Sequence, residues 1–468
     1  MSDRNTPNVL FLFTDDQRFN TIRALGNPEI HTPNLDELVA RGVSFTHAHI
    51  MGGTSGAVCM PSRAMLMTGR SLFRIREQGQ SIAEDHVLMG EAFQQAGYET
   101  FGTGKWHNGA ESYARSFTTG ASIFFGGMDD HWNVPACDFH ADARYEAHPF
   151  CGAPHQSKQT RMRKADRIEC GRHSTDLFAD GTCEFLRGRE QGRPFFAYVS
   201  FMAPHDPRSM PQEFLDLYDP RDISLPQNYM PGHPFDNGEL RIRDECLEEW
   251  PRTQKAIREH LRDYYAMISH IDAGVGRIVD TLRETGQLDN TILVFAGDNG
   301  LAVGSHGLMG KQSLYDHSVR VPLVFAGPGI PNDERRDQFC YLIDIFPTLC
   351  SLCGMNTPET VDGLDLSDAM RDPDATVRDV LHTAYTDKHR AVRNRQYKLI
   401  EYVVEGERTT QLFDLLEDPH ELNNLAEDPL CLGIVLELRS ELERWRTELG
   451  DTRERFGQTF WTGYDNAR

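Results

Sequence analysis

The chain has 468 residues, 39% of them hydrophobic, and a formal net charge of -22. That length suffices for one large core or two unequal domains. So acidic a surface excludes nucleic acid or another polyanion as a partner across a broad face, but leaves room for a small anion in a locally positive pocket.

Ten cysteines in a chain this long do not make a disulfide scaffold. Cys350 and Cys353 form a C-x-x-C with no second pair at zinc-finger spacing, and they read as helical core. The longest apolar runs, such as Val9-Leu10-Phe11-Leu12-Phe13, are strand-sized and well short of the ~20 residues of a membrane helix, so no membrane attachment is expected. Residues 1–7 are polar and lead straight into the first apolar run, so no signal peptide is expected. This describes a cytoplasmic protein, or a periplasmic or secreted one whose leader has been removed.

Residues 8–13 predict a buried strand, 34–41 a helix and 43–47 a strand. Residues 90–96 look helical, and 98–101 and 195–201 extended. In 264–284, Ile268, Ile271, Val275, Ile278, Val279 and Leu282 recur near the helical period, and Gly286 ends the pattern. Residues 291–295 and 321–326 are further buried strands. Continuous apolar strands separated by helices imply an α/β sheet covered on both faces. After about Arg371 short strand candidates crowd together at 380–385, 390–393, 397–403 and 411–415, and a helix follows at 430–449. That implies a small antiparallel sheet and two domains, 1–371 and 372–468. Two stretches, about 108–158 and 206–250, read as long irregular loops, which in compact enzymes are often functional.

Ligands of open α/β sheets bind beyond the carboxyl ends of the strands. Four such ends here carry Asp15-Asp16, Gly104-Lys105-Trp106-His107, Pro204-His205-Asp206 and Asp298-Asn299. Adjacent carboxylates repel, and a hard divalent cation resolves the conflict. Asp15, Asp16, Asp298 and Asn299 offer oxygen only, which suits Ca²⁺ or Mg²⁺ better than zinc. Cys59 precedes a helix-like stretch with Pro61 suited to its first turn. A cysteine at a helix start meets the positive end of the dipole and is not expected to be inert.

Cys59-Met60-Pro61-Ser62-Arg63 resembles the sulfatase signature C-x-P-S-R, in which the cysteine is oxidised to formylglycine by a separate maturation enzyme. The second signature region is matched by Gly97-Tyr98-Glu99-Thr100 through Gly104-Lys105-Trp106-His107. His31-Thr32-Pro33-Asn34-Leu35-Asp36, Gly297-Asp298-Asn299-Gly300, Gly310-Lys311 and Val319-Arg320-Val321-Pro322 follow the family order. Leu412-Phe413-Asp414-Leu415, Asp418-Pro419 and Glu421-Leu422-Asn423-Asn424-Leu425 resemble its C-terminal domain. The chain is thus similar, over nearly its whole length, to the type I, formylglycine-dependent sulfatases of the alkaline phosphatase superfamily.

The resemblance implies a large mixed sheet sandwiched by helices, with a smaller C-terminal α+β domain built on an antiparallel sheet. It implies one divalent metal, usually Ca²⁺, at Asp15, Asp16, Asp298 and Asn299, with the modified Cys59 as a further ligand. The hydrated aldehyde from Cys59 is then the nucleophile, and its second hydroxyl allows sulfate to be expelled afterwards. Lys105 and Lys311 are expected on the sulfate oxygens and His205 as the proton donor to the leaving alcohol. The family assigns His107 to the second hydroxyl and Arg63 to holding the formylglycine. His306 and Trp106 are expected to touch substrate.

Trp106, Tyr113, Trp132 and Tyr145 offer aromatic faces for a sugar ring. The segment Ala57-Val58-Cys59-Met60-Pro61-Ser62-Arg63-Ala64-Met65-Leu66 resembles bacterial carbohydrate sulfatases more than choline sulfatases. A sulfated mono- or oligosaccharide, such as a short glycosaminoglycan fragment, is the expected substrate. The rival readings are an arylsulfatase, a phosphonate monoester or phosphodiester hydrolase, a non-catalytic binding protein and a zinc phosphatase.

Overall fold

The first strand carries the logic of the whole sheet. In β1 (Asn8–Thr14), Val9, Phe11 and Phe13 enter one apolar cluster, while Leu10 and Leu12 enter another. Side chains alternate between faces with period two, so an unbroken apolar strand needs cover on both sides. A computed structural model of the protein describes residues 6–150, 160–190 and 192–467.

The central sheet has eight strands. They are β1, β2 (Gly42–Phe45), β3 (Glu99–Lys105), β4 (Thr119–Phe124), β5 (Phe195–Ser200), β6 (Thr291–Gly297), β7 (Leu323–Ala326) and β8 (Glu334–Arg336). The order is β8-β2-β7-β6-β1-β5-β3-β4. From β6 to β4 all neighbours run parallel, whereas β7 is antiparallel to both β6 and β2. The sheet is therefore mixed, as expected. Leu35, Leu38 and Val39 of α1 (Pro33–Ala40) cover one face. So do α3 (Ser174–Gly188) and α4 (Gln254–Glu284), through Leu177 and Phe178 and through Met267, Ile271, Val275 and Ile278. Leu66 and Met67 of α2 (Cys59–Thr68) and Ile345, Phe346 and Leu349 of α5 (Ile345–Leu352) cover the other.

A second, five-stranded sheet holds β9 (Leu381–Tyr385), β10 (His389–Arg393), β11 (Tyr397–Val404) and β12 (Glu407–Asp414), antiparallel in sequence order. Its fifth strand is the short Gly52–Gly53, paired parallel to β9 and drawn from the chain just before α2. Val435, Leu438 and Leu442 of α6 (Leu432–Glu448) and Phe460 and Trp461 of α7 (Arg455–Asn466) pack on this sheet. Among the described residues no helix is long and apolar enough to cross a membrane.

Several elements depart from the sequence reading. Helix α4 starts at Gln254, ten residues before the predicted 264, because Thr253 caps it by accepting the Ala256 N–H. The stretch 108–158 is more ordered than a loop. It contains a short helix, Ala110–Ser116, and the edge strand β4, whose Thr-Gly-Ala-Ser start carries no apolar alternation. Residues 151–158 of that stretch lie outside the described residues. The stretch 206–250 is largely irregular as expected, apart from Gln212–Leu215 and a 3-10 turn at Arg243–Leu247. Cys350 is buried on α5 and Cys353 follows it, both as free thiols.

Candidate active site

The carboxyl ends of β1 and β6 lie side by side, with Thr14 opposite Gly297 in register. Asp15-Asp16 and Asp298-Asn299 therefore leave the sheet together. The Asp298 N–H donates to Thr14 O at 3.0 Å, and the Asp15 N–H to Ala203 O, beyond β5, at 3.1 Å. Asp16 takes the left-handed conformation, φ 60°, which Asp tolerates better than most residues. In that turn its N–H donates to Asp298 Oδ1 at 2.9 Å, and its own Oδ1 accepts from Asn299 Nδ2 at 2.8 Å.

Three cations converge on these acids. Arg63 donates through Nε to Asp298 Oδ2 at 2.9 Å and through Nη2 to Asp15 Oδ2 at 3.2 Å, and Ser200 Oγ accepts from Nη1. Lys105, the last residue of β3, pairs with Asp15 and stands 3.5 Å from Cys59 Sγ. Lys311 Nζ lies 2.6 Å from Asp16 Oδ1. His107 Nδ1 is 3.5 Å from Cys59 Sγ, and His205 Nε2 is 3.6 Å from Asp16 Oδ2. Every predicted ligand and every predicted catalytic side chain thus meets in one place. His107 is half-buried and the others are buried.

Backbone geometry holds Lys105 in position. Gly104 has φ 85°, and a Cβ there would stand 1.9 Å from Ser200 O on β5. Only glycine lets β3 lie this close to β5 at the turn that presents the lysine.

The electrostatics suit a hard divalent cation. Burial opposes the charge of Asp15, but Lys105 and Arg63 outweigh it and hold that carboxyl far below the usual range. Burial and the Asp15 charge push Asp298 well up. Asp15 Oδ1 and Asn299 Oδ1 are buried with no hydrogen-bond partner among the described residues. Two buried oxygens without donors beside the Asp15 and Asp298 carboxylates suit a hard cation, because buried oxygens otherwise find donors. Ligand atoms of Asp15, Cys59 and Asp298 lie within 4.8 Å of one another, as do those of Asp15, Asp16 and His205.

Cys59 begins α2, as expected, but burial pushes its thiol up to about 11 even with Lys105 and Lys311 pulling the other way. Burial outweighs the two lysines, and a thiol held protonated in this way is a poor nucleophile as translated.

A family model described as "Sulfatase" matches residues 7–355. The arylsulfatase of Clostridium perfringens is 30% identical over 457 residues, covering 90% of each chain. The chain belongs to the sulfatase family. A second model, "N-sulphoglucosamine sulphohydrolase, C-terminal", matches residues 304–448. The N-acetylglucosamine-6-O-sulfatase of Bacteroides thetaiotaomicron is 24% identical, covering 90% of this chain and 82% of its own. A crystal structure of a putative sulfatase from Bacteroides fragilis shares the fold, with a TM-score of 0.74, 23% identity and coverage of 98% and 99% of the two chains. The sulfatase family comprises hydrolases of sulfuric esters, and this chain is such an enzyme with an alkaline phosphatase-like fold.

Two predicted substrate contacts of this sulfatase are corrected. Trp106 is buried in the core, edge-on to Tyr113 and Phe117, with its indole N–H on Gly109 O and Ser112 Oγ. Its side chain turns inward because residues next to each other on an extended chain face opposite ways. His306 is buried against Tyr315, ring centroids 3.9 Å apart, and its Nε2 bonds to Glu421 O. It ties the segment after β6 to the segment after β12. Sequence reasoning gave no role to Asp206 or Arg243. Asp206 Oδ1 lies 3.2 Å from His205 Nδ1, and Arg243 Nη2 donates to the same Oδ1 at 2.9 Å. The Asp206 position beside His205 was a signal; Arg243, thirty-seven residues on, left none.

Proposed function

We propose that this sulfatase hydrolyses a sulfate ester of a mono- or oligosaccharide, using a nucleophile made from Cys59. A separate maturation enzyme oxidises the cysteine to formylglycine, and the aldehyde hydrate attacks sulfur while the bond to the sugar oxygen breaks. The observation that carries the reading is the placement of Cys59 Sγ 3.5 Å from both Lys105 Nζ and His107 Nδ1, beside the Asp15–Asp298 carboxylates.

Asp15, Asp16, Asp298 and Asn299, with residue 59, are the residues that would hold a Ca²⁺ ion. When bound, that ion supplies positive charge against the sulfate and the attacking oxygen. Lys105 and Lys311 hold the sulfate oxygens, where charge must be stabilised without reorganisation. His205 gives its proton to the departing sugar alcohol, which is otherwise a poor leaving group. His107 takes the proton of the remaining hydroxyl as sulfate departs and the aldehyde returns. Arg63 keeps the Asp15 and Asp298 carboxylates and the start of α2 in one arrangement. Saccharide specificity is supported by the likeness to an N-acetylglucosamine-6-O-sulfatase.

The test has two parts. Mass spectrometry of the Cys59 peptide, after co-expression with a maturation enzyme, should show an aldehyde in place of the thiol. The same preparation should release sulfate from at least one member of a panel of sulfated saccharides, and Cys59→Ala should abolish this with the fold intact. Faster turnover of phosphate diesters or phosphonates than of any sulfate ester would overturn the reading.

A further inference from the structure

A cavity of about 1240 Å³ is lined by residues adjoining His107 and His205. On one side its wall is Met128, Asp129 and Asp130, which follow Gly127; a Cβ on Gly127 would stand 2.8 Å from the His107 ring. On the other side it is Asp206 and Arg243, and Asp206 touches His205. The cavity therefore borders the site on the side of both histidines, within reach of the body of a substrate whose sulfate is at Cys59. It is larger than one sulfated ring requires, since pockets for drug-sized ligands run to about 300–1,000 Å³.

The chemistry of the wall narrows what it takes. Trp132 lines it half-buried, braced edge-on by His173 at 5.1 Å, whereas Trp106 and Tyr113 are in the core. Met128, Pro135 and Ile168 add apolar surface. Each arginine of the described wall is already matched. Arg163 pairs with Asp129, Arg167 with Asp138 and Glu169, and Arg243 with Asp206 and Asp244. Carboxylates held in this way still present acceptor oxygens to hydroxyl groups. The paired arginines leave little unspent positive charge for a second sulfate or a uronate.

We propose that this cavity is a subsite for an uncharged sugar adjoining the sulfated residue on its leaving-group side, with Trp132 stacked on the sugar face. The proposal rests on the saccharide sulfatase reading above and adds that the enzyme prefers chains to single sugars, and neutral neighbours to acidic ones. The experiment takes the monosaccharide sulfate turned over fastest and compares it with two disaccharides made from it, one carrying glucose and one glucuronate, by released sulfate.

The glucose-bearing disaccharide should exceed the monosaccharide in kcat/KM by about tenfold, a stacked ring contributing on that order. The glucuronate-bearing one should fall below it. Trp132→Ala should erase the disaccharide-to-monosaccharide ratio, and Trp132→Phe should restore part of it. Equal kcat/KM for the three substrates, a preference for glucuronate, or an unchanged ratio in Trp132→Ala would each overturn the assignment while leaving the sulfatase reading intact. Failure to release sulfate from any substrate, 4-nitrophenyl sulfate included, would instead remove the reading on which the proposal stands.

Discussion

Lys311 Nζ stands 2.6 Å from Asp16 Oδ1, and both side chains are almost wholly shielded from water. Burial opposes the lysine charge, but Asp16 and the other acids around it more than compensate, so the ammonium is held well above its ordinary pKa. It is a fixed charge, unable to serve as a base near neutrality. Lys311→Ala should lower kcat for sulfate release by about 10²–10³-fold, the usual loss for one preorganised donor. A decrease below tenfold would remove it from the sulfate-binding role.

The orphaned Asp15 Oδ1 and Asn299 Oδ1 lead to a second expectation. Dialysis against a chelator should abolish sulfate release and lower the melting temperature, because an ion bound only by the fold stabilises it by mass action. Added Ca²⁺ should restore both. In Asn299→Leu the ion-dependent rise in melting temperature should shrink, a readout independent of turnover. An unchanged melting curve on chelation would contradict the cation site.

A third concerns acid. His131 and His173 stack with ring centroids 5.1 Å apart, and burial depresses them to about 4 and about 3. An unfolded imidazole titrates near 6.5. Below that pH the unfolded chain takes up protons that the folded one refuses, so stability is fully present above 6.5 and is lost as pH falls toward 4. Melting temperature should drop through that window, and His131→Gln should flatten the slope.

A fourth lies in the C-terminal region. Arg390 donates to Asp451 through Nε at 2.6 Å and Nη2 at 2.8 Å, both side chains fully buried, and Trp461 Nε1 donates to the same carboxylate. Asp451→Ala strands a buried guanidinium and should cost about 3–5 kcal/mol in denaturant unfolding. Replacing both partners, as in Arg390→Met with Asp451→Leu, should cost less than the single change.

Much of this was legible in the chain itself. Strands buried on both faces must be apolar throughout, so β1, β5 and β6 stood out, and the polar residues at their ends marked the site. Edge strand β4 was not legible, because an edge needs no continuous apolar run. Trp106 was misread because motif proximity says nothing about which way a side chain turns. The Asp206–Arg243 pair was hidden for a different reason: it depends on two loops meeting, and neither has periodicity to read.

The strand Gly52–Gly53 has a consequence for anyone recombining this protein with its relatives. A Cβ on Gly52 would fall 1.9 Å from Ala384 O, so the junction tolerates hydrogen alone at that position. The rear sheet is thus stitched to the segment leading into Cys59, and a chimera cut near residue 371 would import a foreign seam within a few residues of Cys59. Exchanging that half should perturb turnover even when no residue of the reaction centre is altered.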